Sequence, residues 1–157
     1  MAEKKVVKER KEEKKEENVA KTAVKKPEPK KKEAVANGRN LSISKKHAMA
    51  ICKMIRGKKI QDALMDLELV LKFKKVVPMK GEIPHRKGKG IMSGRYPINA
   101  TKIIISLLKS LDANARVLEI NDPIISLAKA DRAARPYRRF GSRRFKRANV
   151  LLQAKEK

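Results

Sequence analysis

Three stretches of the chain place apolar residues at helical spacing. Ala48, Ile51, Cys52 and Ile55 fall at i, i+3, i+4 and i+7, which is one helix face. Ser44 supplies an N-cap and Gly57 a stop, so the first helix is predicted over 44–56. A second is predicted over about 59–71, with Ile60, Ala63, Leu64, Leu67 and Leu71 as its stripe. A third runs from Asn99 to Ala113 and buries Ala100, Ile104, Leu107, Leu108 and Leu111. After Ala115 the period shortens. Val117–Ile120, Ile124–Ala130 and Val150–Ala154 read as strands, with Leu41–Ile43 as a short earlier one. Helices followed by strands define an α+β domain.

The two last strands set a geometric problem. If Ala130 pairs near Val150, the chain must reverse around Phe140, Gly141 and Ser142, where Gly141 supplies the positive φ of a tight turn. Each arm is then long enough to extend roughly 50 Å at about 3.3 Å per residue. An isolated two-stranded ribbon is marginal in water, and facing like charges weaken it further. The distal hairpin is therefore expected to order only against a polyanion. Between the second and third helices lies a loop, 72–98, with Pro78, Pro84 and Pro97 and with Gly81, Gly88, Gly90 and Gly94. A stretch of that length without regular structure implies a ligand. Residues 1–38 contain no Leu, Ile or aromatic residue. They are read as a disordered charged tail, because nothing there offsets the cost of ordering, about 1–2 kcal/mol per residue. Its surplus of cations is small, 13 Lys and Arg against 8 Glu. A searching RNA-binding arm and a solubilising tail are both open readings. The domain is expected over 39–157, with its hairpin extension at about 124–154.

Charge turns the pattern into a function class. The 157 residues carry a net +25, with 42 Lys and Arg against 17 Asp and Glu. Residues 39–157 hold 29 of the basic and 9 of the acidic groups. A small domain ordinarily carries a net charge of about 2–8 in magnitude, so this surplus repels itself unless a polyanion compensates it. Nucleic acid is the expected partner. One cysteine, Cys52, excludes an intramolecular disulfide framework and a Cys-rich zinc site. No apolar run approaches the roughly 20 residues of a membrane span, and the first residues show no signal-peptide core.

The basic groups concentrate in two places. Segment 131–147 holds Arg132, Arg135, Arg138, Arg139, Arg143, Arg144, Lys146 and Arg147 against Asp131 alone, together with Tyr137, Phe140 and Phe145. Guanidinium forks suit phosphate, and both guanidinium planes and aromatic rings stack on bases. The second place is His85, Arg86, Lys87, Gly88, Lys89 and Gly90, followed by Gly94 and Arg95. Glycines let backbone amides approach a phosphate there. The run is not a Walker A loop, and Gly94 falls one residue late for a dinucleotide fingerprint. Catalysis finds no matching set of residues. His47 and His85 are 38 positions apart, Cys52 lies on an apolar stripe, and Asp62 with Asp66 reads as a solvated or lysine-paired face.

The motifs also resemble a known family. Ser44-Lys45-Lys46-His47-Ala48, Ile55-Arg56-Gly57-Lys58-Lys59 and Asp62-Ala63-Leu64 look like the start of the large-subunit ribosomal protein family numbered twenty-two in the universal scheme. Pro84 to Gly90 and Gly94-Arg95-Tyr96-Pro97 resemble its archaeal and eukaryotic form, numbered seventeen in eukaryotes. Arg135-Pro136-Tyr137-Arg138-Arg139-Phe140-Gly141-Ser142-Arg143, then Asn149-Val150, resemble the family's long hairpin and returning strand. The resemblance implies three helices packed on a small three-stranded antiparallel sheet with a long protruding basic β-hairpin. It implies large-subunit ribosomal RNA, neighbouring ribosomal proteins and the nascent peptide at the exit-tunnel wall as partners, and a cytoplasmic place in the ribosome.

The expected RNA contacts are Lys45, Lys46, His47, Lys58 and Lys59 around the first helix, and His85, Arg86, Lys87, Lys89 and Arg95 in the loop. Arg132, Arg135, Arg138, Arg139, Arg143, Arg144, Lys146 and Arg147 follow in the hairpin. Tyr137 and Phe140 are the stacking candidates, and Phe140 to Arg143 form the tip. No cofactor, metal, small-molecule substrate, membrane or self-association is expected. The rival reading is a DNA-compacting nucleoid protein, which would bind any duplex.

Overall fold

In the computed structural model, residues 33–79, 91 and 93–156 are described, and all lie within the unit Lys32–Lys157. In chain order the elements are β1 (Glu33–Leu41), α1 (Lys45–Ile55), α2 (Ile60–Leu71), β2 (Val77–Pro78), β3 (Gly94–Arg95), α3 (Ile98–Val117), β4 (Ile124–Arg132) and β5 (Ala148–Lys155). β5 lies between β1 and β4 in an antiparallel sheet, and β2 pairs with β3. The fold is thus three helices on a small three-stranded antiparallel sheet, as the resemblance implied.

Period two builds the sheet's inner face. Ala148, Val150, Leu152 and Ala154 of β5 are buried, and Ala34 and Ala36 of β1 face Ala154 and Leu152. In β4 a register shift between Ile125 and Leu127 changes the parity, so that Ile125, Ala128 and Ala130 all point inward. Over this face lie Ile51 and Ile55 of α1 and Ile104, Leu108 and Leu111 of α3, all fully buried. Ile60, Leu67 and Val70 of α2 complete the core. Truncating a central member such as Leu152 to Ala should cost about 2–5 kcal/mol. Ala130 pairs with Val150, the premise from which the reversal around Gly141 follows.

Several boundaries differ from the sequence reading. β1 begins at Glu33, so residues 33–38 belong to the sheet and not to a tail. Their alanines are too small to register as a hydrophobic pattern. Small residues are what the site needs: a Cβ on Gly38 would lie 2.8 Å from Leu107 Cδ1 of α3. Residues 1–32 lie outside the described residues. Ser42 and Ile43 are not strand; Ile43 turns into the core. α3 starts at Ile98 after Pro97, not at an Asn99 cap, and continues through Val117. The expected strand Val117–Ile120 is that helix's C-terminus. Glu119 takes φ 53°, and the Ile120 N–H donates back to the Ala115 carbonyl at 3.1 Å, returning Ile120 to the core. Loop 72–98 is closed by the β2–β3 pair, where Gly94 is required: a Cβ there would meet Val76 Cγ1 at 1.8 Å.

Candidate nucleic-acid interface

The hairpin leaves the sheet as regular ladder and then changes character. Pairing of β4 with β5 ends at Arg132 opposite Ala148. The Ala133 N–H donates to Arg147 O at 3.2 Å, and farther out the Phe145 N–H donates to Pro136 O at 3.0 Å. Ala134 and Arg135 therefore stand against Lys146 alone. One extra residue on one arm is a bulge, which bends and twists a ribbon. Pro136 has no N–H to return. The continuous extended arms expected from sequence are thus interrupted at this bulge. Beyond it Tyr137 faces Arg144, and the Arg138 N–H donates to Arg143 O at 2.8 Å. The turn closes with the Gly141 N–H donating to Arg138 O at 2.9 Å, and Gly141 takes φ +66°, as the reversal demands.

Aromatic rings space the cations. The Arg144 guanidinium carbon lies 4.2 Å from the Tyr137 ring centroid, and this guanidinium also donates to the Tyr137 hydroxyl. Phe145 is flanked by Arg138 at 5.0 Å and Arg147 at 6.0 Å. Arg139 sits 5.7 Å from the Phe140 ring. Such contacts are worth about 0.5–1 kcal/mol each at exposed sites, enough to bias side-chain positions without consuming the outward donors. Phe140 at the tip is 86% exposed and Tyr137 59%. Among the described residues, no carboxylate pairs with the eight basic side chains between Arg132 and Arg147.

The root is clamped to β1. A register shift between Gly38 and Leu41 places Asn40 at φ 53°, where its N–H donates sideways to Asn149 Oδ1 at 2.7 Å. Arg147 Nη1 donates to Asn40 O at 3.3 Å. Arg147 Nε is buried and has no acceptor among the described residues. Between the hairpin and the β1–α1 turn opens a cleft of about 570 Å³ lined by Ser42, Arg138, Arg143, Arg144, Phe145 and Lys146. Ser42 and Asn40 are the members sequence reasoning missed, having no signal of their own. Phe145 and Asn149 stand in the basic segment and the returning-strand motif, but only the register, with Phe145 opposite Pro136, assigns them contacts.

The remaining predicted contacts divide into two groups. Lys45, Lys46 and His47 occupy the first turn of α1, behind Ser44, whose side chain makes no capping hydrogen bond. Cations at a helix N-terminus oppose the macrodipole by about 0.3–1 kcal/mol each, a local cost that suits an anion partner. His47 joins Arg95 of β3 and Lys146 of the hairpin: partial burial, then these two cations, hold its imidazole below the ordinary range. Lys58 and Lys59 are placed differently. Lys58 and Lys75 both donate to the Asp66 carboxylate, and Lys59 meets Asp122 Oδ1 at 2.9 Å. This junction is fixed by backbone pairing, with the Gly57 N–H donating to Ile125 O and the Ile125 N–H to Lys58 O, both at 2.9 Å. Burial pushes the Cys52 thiol up to about 11, in keeping with a small core residue. His85, Arg86, Lys87 and Lys89 lie outside the described residues.

An exposed basic ribbon, rooted in an α+β domain and studded with guanidinium–ring pairs, defines a class: a small nucleic-acid-associated protein with a projecting arm. Comparison with known proteins makes this specific. Residues 36–155 match the family described as ribosomal protein L22p/L17e. The chain is 39% identical over 134 residues to the large ribosomal subunit protein uL22 of Archaeoglobus fulgidus, covering 82% of this chain and 86% of that one. It is 44% identical over 94 residues to the protein of that name from Methanococcus vannielii, and 43% over 94 residues to that from Methanocaldococcus jannaschii. Those two alignments cover 57% of this chain and 61% and 60% of the relatives. The chain belongs to the L22p/L17e family and is an archaeal-type ribosomal protein of the large subunit.

Proposed function

We propose that the chain is a structural, RNA-binding component of the large ribosomal subunit that helps its RNA assemble. In this reading the domain anchors on ribosomal RNA through the start of α1, Arg95 and the loop 85–95. The hairpin threads between RNA helices, and its tip, Phe140 to Arg143, reaches the wall of the nascent-peptide exit tunnel. Family membership supports the ribosomal setting. One observation carries the RNA reading: a ribbon whose residues 134–146 are all exposed, whose cations have no carboxylate partners among the described residues, and whose rings stand beside guanidinium groups. Phosphate takes the guanidinium donors, and bases take the ring faces. Lys58 and Lys59 remain proposed contacts of secondary weight, since each already meets a carboxylate.

Competition separates this reading from a DNA-compacting protein. The full chain is titrated with a large-subunit RNA transcript in the presence of excess mixed-sequence duplex DNA. Retained RNA binding supports the proposal. Displacement by duplex in proportion to its phosphate content contradicts it.

A further inference from the structure

Helix α2 is apolar on two faces, and only one of them is used by the fold. Ile60, Ala63, Leu67 and Val70 are buried. On the opposite side Met65 is 57% exposed and Leu69 38%, one turn apart, and Phe73 continues the line just past the helix end at 56%. An amphipathic helix of a self-sufficient domain carries polar residues on that outer side. Phe73 is also held in place. Its backbone takes φ 58°, its carbonyl accepts from the Tyr96 hydroxyl at 2.8 Å, and its ring meets Tyr96 edge-on at 5.1 Å. A large ring fixed in the exposed position has little rotamer freedom left to lose on docking.

The charge around this stripe identifies what covers it. α2 has three acids, Asp62, Asp66 and Glu68, and no Lys or Arg, in a chain of net +25. Asp62 and Glu68 are exposed, one on each side of the Met65–Leu69 line. Two lysines beside the helix, Lys58 and Lys75, are drawn onto Asp66, and Lys59 onto Asp122. Lys72 and Lys74 at the C-terminal end are the cations that flank the stripe there. Carboxylates repel an RNA backbone, and methionine and leucine offer it no donor. A second copy would bring +25 against +25. We infer that the outer face of α2, Met65, Leu69 and Phe73 flanked by Asp62 and Glu68, docks a protein segment that is cationic and contributes apolar side chains. This surface is separate from the RNA interface and does not depend on it.

Photo-crosslinking in assembled large subunits tests the inference. p-Benzoyl-phenylalanine replaces Met65 in one variant and Leu69 in another, and the purified subunits are irradiated. Both positions are expected to join the full-length chain to the same polypeptide, at a peptide containing Lys or Arg. Adding Asp62→Lys and Glu68→Lys should lower that yield about tenfold, whereas Asp62→Glu should leave it unchanged. Because these side chains are exposed, α-helical circular dichroism of each free variant should match the parent. Adducts to ribosomal RNA, to a second copy of this chain, or no adduct at either position would overturn the inference. So would a protein adduct insensitive to the charge reversal.

Discussion

Two lysine- and arginine-rich regions of this molecule look alike in sequence and differ in structure. At the α1–α2 junction, Lys58, Lys59 and Lys75 face Asp66 and Asp122, and the cations are tied into the domain. In the hairpin, Arg135, Arg138, Arg139, Arg144 and Arg147 meet rings or carbonyls, as where Arg135 Nε donates to Phe145 O at 3.2 Å, and no basic side chain there meets a carboxylate among the described residues. A cation held by a carboxylate has part of its field cancelled and must give up that contact to serve a phosphate. A cation over a ring keeps its charge and most of its donors. Net charge therefore overstates the junction as an RNA surface and understates the hairpin.

The comparison breaks most visibly under multiple replacement. Arg138→Ala, Arg143→Ala and Arg144→Ala together should weaken binding to a large-subunit RNA transcript by about two orders of magnitude at moderate salt. Each lost phosphate contact should make the log–log salt dependence shallower by about 0.7–0.9. An unchanged slope, read by filter binding between low and moderate salt, would remove these arginines from the phosphate interface. Single ring removals come next. Phe140→Leu and Tyr137→Leu should each cost about 1–3 kcal/mol if a base stacks there. The salt slope should stay constant, which distinguishes stacking from charge.

Protonation of His47 gives a smaller effect with a definite sign. Its folded-state value lies below the ordinary 6.5, first through burial and then through Arg95 and Lys146. The free protein's stability from this group is complete above pH 6.5 and declines as the pH falls toward the folded value. A phosphate in the same place favours the imidazolium, so RNA binding should strengthen several-fold between pH 7.5 and 5.5. His47→Asn should abolish both trends, in thermal melts and in titrations. The smallest effect belongs to the junction. Lys58→Ala with Lys59→Ala should change RNA affinity about twofold and lower stability by under about 1 kcal/mol. Burial alone would raise the Asp66 carboxyl, but the Lys58 and Lys75 hydrogen bonds outweigh it and hold it below 3.8. Its contribution is present above that pH and lost as the pH falls below it. Removing Lys58 should therefore move acid unfolding to higher pH.

Much of this was legible in the chain, for identifiable reasons. The three helices declared themselves because Ile, Leu and Cys recur at helical spacing, and the reversal around Gly141 followed once Ala130 was set near Val150. β1 was hidden because its inward residues are Ala34, Ala36 and Gly38, too small to mark a hydrophobic pattern, with Gly38 in close approach to Leu107. The C-terminal turn of α3 reads as a strand in the sequence because Val117, Leu118 and Ile120 are apolar, although Val117 is 82% exposed. Within the proposed interface, residue types marked the arginines and Tyr137. Lys59 carried no mark of its carboxylate partner, because Asp122 lies 63 residues away, whereas Asp66, eight residues from Lys58, reads in the sequence as part of a solvated or lysine-paired face. The Asn40–Asn149–Arg147 clamp arises from a bulge, and bulges leave no periodic trace.

The division between an anchoring domain and an RNA-facing hairpin is tested most directly by deleting residues 135–145 and reconstituting large subunits with the shortened chain. The buried positions of β1, α1, α2, α3, β4 and β5 lie outside the deletion, so the domain should fold. The account predicts that the shortened chain enters subunits with reduced efficiency and that chemical probing shows newly accessible RNA at the tunnel wall. Complete failure of the folded chain to incorporate would make the hairpin the primary anchor and contradict that division. Normal incorporation with unaltered tunnel RNA would show that the tip lies elsewhere.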